Sequence, residues 1–71
     1  MVKEKIMRDI NRIEPTLKQI EEIWKQYPDL RLGQLLENIA LEYNSSLYYT
    51  EDEDLLRKLK GFYIDHERVR Q

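Results

Sequence analysis

From Ile6 onward, apolar residues return at alternating steps of four and three: Ile6, Ile10, Ile13, Leu17, Ile20, Trp24 and Tyr27. That spacing keeps one face of a helix apolar. Pro15 interrupts it. Inside a helix a proline removes a backbone donor and crowds the preceding turn, at ~3 kcal/mol, whereas at the first helical position its missing N–H costs nothing. It also biases Glu14 away from helical geometry. The pattern predicts a short helix near 3–12, a bend, and a second helix over 15–27 opened by Pro15. A single kinked helix is the other arrangement these residues allow. In 15–27, Leu17, Ile20, Ile23, Trp24 and Tyr27 fall within an arc of about 120°, with Trp24 expected at the centre of the core. Lys18, Glu21, Glu22 and Lys25 take the solvated side, where Lys18–Glu22 and Glu21–Lys25 are spaced to pair.

Pro28 ends this helix, and Asp29 is the expected N-cap of the next. So short a connection implies an antiparallel or sharply angled helix pair. The third helix, 30–43, carries Leu32, Leu35, Leu36, Ile39 and Tyr43 on one stripe, flanked by Gly33 and Ala40. A glycine in a helix costs about 1 kcal/mol relative to alanine, and close approach of another helix is the expected return. Leu30 and Leu41 lie about 160° and 180° from Leu32, off the stripe. Asn44–Ser46 read as a turn, and Leu47–Tyr49 as a short extended or irregular piece. Thr50 is the expected N-cap of a helix over 51–63, with Glu53 completing a capping box. Leu55, Leu56, Leu59, Phe62 and Tyr63 form its apolar arc; Gly61 either closes that helix or is tolerated within it. The fold expected is all-α: one domain over 1–71, a small bundle of three main helices plus a short N-terminal helix.

Composition narrows the function classes. At 71 residues, 41% apolar and 37% charged with two glycines and two prolines, the chain suits a compact helical protein. A domain of this size buries roughly 60% of the surface its unfolded chain exposes, so stability rests on a small core or on a partner chain. With no cysteine, disulfides and thiolate-based zinc or iron–sulfur sites are excluded, and the single histidine, His66, excludes multi-histidine sites. No cofactor or metal is expected. A net charge of −2 supplies no broad positive field for nucleic acid or anionic lipid. No apolar run approaches a membrane span, and "MVKEKIMRDI" lacks the apolar region of a signal peptide, so the chain reads as soluble and cytoplasmic.

The stretches "IWKQYPDLRLGQLLENI" and "LYYTEDEDLLRKL" resemble a family of short hypothetical proteins of bacteria and their phages, mostly Gram-positive ones. In that family a tryptophan precedes "PDLRLGQLL.N", an aromatic pair follows, and an acidic stretch opens a helix. "MRDINRI" at 7–13 is similar to the start of such proteins, with Ile10 where they often carry proline. The resemblance spans most of 7–59 and implies a bacterial or phage origin. It implies no activity, so no residue role carries over.

Candidate chemistry is sparse. The run Glu51, Asp52, Glu53, Asp54 could hold a divalent cation or imitate phosphates, but negative side chains also favour the first turn of a helix. Calcium loops need glycine and alternating oxygen ligands, which are lacking. His66 would act as a general base only if a nucleophile and a carboxylate converged on it; if the last helix runs past Gly61, His66 rejoins the apolar arc beside Phe62. Ser45 and Ser46 have no activating neighbour. The helices around Tyr27–Asp29 could imitate a helix-turn-helix, yet 30–43 sets Arg31 and Gln34 against Glu37 and Glu42, a poor recognition helix. Leu30 and Leu41 with Tyr48 and Tyr49 could instead make an apolar, aromatic contact patch beside Glu51 and Asp52; the plainer account is that another part of the chain folds over the leucines. The expected function is a non-enzymatic interaction module, a regulator or inhibitor from a phage or mobile element, binding a host protein or a second copy of itself. A small DNA-binding regulator is the alternative.

Overall fold

The computed structural model describes residues 8–66. They form three α-helices and no strand: α1 Ile13–Trp24, α2 Leu32–Tyr43 and α3 Asp52–Leu59. A 3-10 turn, Ile10–Arg12, leads into α1, and a π-helical turn, Lys60–Ile64, continues α3. Most of the helix expected near 3–12 lies outside the described residues; the part inside them is that 3-10 turn, capped by Asp9, whose carboxylate accepts the Asn11 N–H at 2.9 Å.

Pro15 does not open α1. It is the third residue of the helix, where an N–H has no intrahelical acceptor to lose. The helix therefore begins two residues earlier, at Ile13, and the break expected before Pro15 is absent. At the other end, regular helix stops at Trp24, three residues short of expectation, since Pro28 disfavours helical geometry at Tyr27. The Trp24 Nε1–H donates to the Leu30 carbonyl at 2.7 Å and folds residues 25–30 back. Asp29 is not the cap of α2. Arg31 takes that position, and the Gln34 side chain reaches back to accept its N–H at 2.8 Å. Both α1 and α2 pack on α3.

The buried core is Ile23, Leu35, Ile39, Leu59 and Tyr63. Trp24 packs at its edge, half-buried, because the indole N–H needs a polar partner and finds it at the rim. The apolar stripe of α1 outruns the bundle: Leu17 is 59% exposed. Leu32, also placed on the buried stripe by its spacing, is 43% exposed at the start of α2. Gly33 serves no close approach, since a Cβ built there meets nothing within 4 Å.

Thr50 does not cap α3. Its hydroxyl donates to the Ser46 carbonyl, and Glu51 occupies the cap position. Gly61 neither closes the last helix nor sits in regular α-helix; it lies buried in the π turn, which Asp65 N–H closes onto the Lys60 carbonyl at 2.9 Å. This turn carries Tyr63 into the core. The Tyr63 hydroxyl donates to the Leu35 carbonyl at 2.7 Å and accepts from Asn38 Nδ2 at 3.2 Å. The Tyr27 hydroxyl donates to the Tyr63 carbonyl at 2.7 Å.

Candidate partner-binding surface

Leu41 follows the buried Ile39 by two positions, which turns it to the far side of α2. It is 71% exposed. α2 then ends in a Schellman motif: Asn44 takes left-handed geometry (φ 51°, ψ 51°), its N–H reaches the Leu41 carbonyl at 3.4 Å, and Ser45 N–H reaches the Ala40 carbonyl at 3.0 Å. Two overlapping turns follow, Tyr49 N–H to the Ser46 carbonyl and Thr50 N–H to the Leu47 carbonyl, each at 3.2 Å. With Leu47 half-buried, these turns leave Tyr48 and Tyr49 86% and 81% exposed. Their rings meet edge to face, centroids 4.8 Å apart. That contact sets two large amphipathic rings side by side at the surface.

Leu30 is not part of this surface. It lies in the connection before α2, where a helical angle has no meaning, and packs against the core. The structure thus keeps Leu41, Tyr48 and Tyr49 exposed and removes Leu30 from the set.

The acidic turn is exposed but not vacant. Arg8 forks onto Glu51, Nη1 to Oε1 at 2.6 Å and Nη2 to Oε2 at 3.4 Å. Arg12 Nε lies 3.2 Å from Asp52 Oδ2, an ion pair without hydrogen-bond alignment. Within α3, Asp54 pairs with Arg57 and, at 3.0 Å, with Lys58. The Arg8 hydrogen bond and charge hold the Glu51 carboxyl below its usual range, and the hydrogen bonds from Arg57 and Lys58 do the same for Asp54. Sequence reasoning misses Arg8 and Arg12, which stand among acidic neighbours in the chain. The signal was an arginine pair four apart matching an acidic pair at a distant helix start. On α1, Lys25 pairs with Glu21 at 3.2 Å as spaced, while Lys18 approaches Glu21, at 4.0 Å.

No family model, curated protein or solved structure matches the chain. Its function therefore rests on what its own side chains can do. Among the described residues no group of three His, Asp or Glu side chains is placed to hold a metal ion, and no helix is long and apolar enough to cross a membrane. A groove of about 400 Å³ is lined by side chains of α1, α3 and the π turn, among them Gln19, Glu53, Arg57, Lys60 and Asp65. His66 is not beside Phe62 on an extended apolar arc. The chain leaves the π turn at Asp65, and His66 is exposed in left-handed geometry, φ 58°. One polar atom near Leu41 is shut away from solvent: Glu42 Oε2 is buried without a hydrogen-bond partner.

Proposed function

We propose that this chain is a small, non-enzymatic helical interaction module of bacterial or phage origin, acting in the cytoplasm as a regulator or inhibitor by docking onto another protein. One observation carries the reading: Leu41, Tyr48 and Tyr49, close in sequence across the end of α2 and the turn after it, are all more than two-thirds exposed. Exposed aromatic side chains are of the residue type enriched in interfaces. Leu41, Tyr48 and Tyr49 supply the contact, with Glu51 and Asp52 beside them in the chain.

The test is capture from bacterial lysate with the tagged chain, a differently tagged second copy being present. The parent is expected to retain one host protein. Leu41→Glu is expected to lose it while keeping the parent's melting curve, because Leu41 supports no core contact. Recovery of the second copy alone makes the chain a self-associating module. Retention of duplex DNA released by salt overturns the reading in favour of a DNA-binding regulator, and an unfolded Leu41→Glu variant returns Leu41 to the core.

A further inference from the structure

Arg8 stands just before the 3-10 turn that enters α1 and Arg12 ends it, and both side chains reach the start of α3. Ile10, between them, is 74% exposed, and no residue of the Ile10–Arg12 turn is buried. Apolar burial therefore does not hold this turn to α3. Charge does, through the forked Arg8–Glu51 pair and the Arg12–Asp52 pair. All four side chains keep part of their surface in water, from 39% at Arg12 to 67% at Glu51, although the Arg12 Nε itself is shut away from solvent. The Arg8–Glu51 pair, the more open of the two, is weak and screened by salt. Nor does α3 need the arginines to form, because carboxylates at its first turn are favoured by the helix itself.

We propose that residues 8–12 form a releasable strap, closed over Glu51 and Asp52 by these two pairs and opened by salt or by a basic segment of a partner protein. The chain displays in its own arginines the chemistry that displaces them: two guanidinium groups four residues apart in sequence, presented to two adjacent carboxylates. A docking partner thus competes with an internal occupant for the acidic turn, and the bundle behind it stays folded. The partner half rests on the interaction reading above; the strap does not.

Backbone relaxation by nuclear magnetic resonance on the full chain tests both. Raising salt from about 0.01 M to about 1 M shortens the screening length from about 30 Å to about 3 Å. Order parameters of residues 9–12 are expected to fall from about 0.85 to below about 0.6, with residues 16–24 unchanged. Glu51→Gln with Asp52→Asn is expected to open the strap at low salt. Asp54→Asn, whose partners lie within α3, is expected to leave it closed. Exchanging the charges, Arg8→Glu with Glu51→Arg, is expected to close it again. Rigid residues 9–12 at high salt, or flexible ones in the parent at low salt, overturn the strap. Should the double variant fail to fold, the salt series on the parent decides alone. A short helical peptide bearing two arginines four apart is expected to open the strap at low salt; if salt opens it and the peptide does not, the partner half is wrong. Leu41-dependent capture is scored separately, so failure of the strap and failure of the docking reading are distinguishable.

Discussion

Tyr63 is where three segments converge: its hydroxyl reaches α2, its carbonyl holds Tyr27 of the connection, and its ring lies 5.0 Å from the Tyr27 ring. Tyr63→Phe keeps the ring and removes the bonds to Leu35 and Asn38, an expected loss of about 1–2 kcal/mol in denaturant unfolding. A parent-like stability would mean that those bonds merely replace bonds to water. Gly33 makes the opposite case. Its Cβ position is empty and its backbone is not left-handed, so Gly33→Ala is expected to add about 0.5–1 kcal/mol, or a few degrees in Tm. Unchanged or lowered Tm would show that α2 needs the glycine for a reason other than space. The cost of a helical glycine is legible in sequence. What it returns is not, because that depends on which neighbour approaches, and here none does. Leu30 teaches the same lesson: its angle was reckoned on a helix that begins two residues later.

The helices themselves were legible because spacing alone determines which positions share a face. Ile20, Ile23, Leu35, Ile39, Leu55, Leu56, Leu59 and Tyr63 all lie in or against the core. Periodicity could not say how far along each stripe a partner extends, which depends on where the neighbouring elements cross it. Hence the exposed Leu17 on α1 and the fully buried Leu59 on α3. Leu59→Ala is expected to cost about 2–5 kcal/mol, and Leu17→Ala less than about 0.5 kcal/mol, by equilibrium denaturation. Equal losses at the two positions would mean that α1 is covered along its whole length. Boundaries were less legible than faces. Caps at Arg31 and Glu51, in place of Asp29 and Thr50, follow from side chains that bonded elsewhere: Gln34 reached back to Arg31, and Thr50 turned to Ser46. The π turn had no signal in the apolar pattern, since one extra residue in a turn leaves Phe62 and Tyr63 near the same arc.

At the scale of the molecule, titration ties these parts together. Glu21, Glu51 and Asp54 are each held below the usual carboxylate range, by Lys25, by Arg8, and by Arg57 with Lys58. A carboxyl with a lowered folded pKa adds stability above its unfolded value and loses it as pH falls through the folded one. Tyr63 runs the other way. Burial raises its phenol pKa, so its contribution is complete below the unfolded value of about 10 and is lost as pH rises through the folded value. Stability is therefore expected to be flat from neutral pH to about 9 and to fall on both sides. The two limbs differ in origin, and salt separates them. The acid limb comes from exposed pairs and is expected to flatten in about 1 M salt, where screening acts within about 3 Å. The alkaline limb comes from a buried hydroxyl with fixed hydrogen bonds, and is expected to keep its slope in salt and to shrink in Tyr63→Phe. Denaturant midpoints across pH at two salt concentrations measure both at once. An acid limb indifferent to salt would mean that the exposed pairs of Glu21, Glu51 and Asp54 are not its origin.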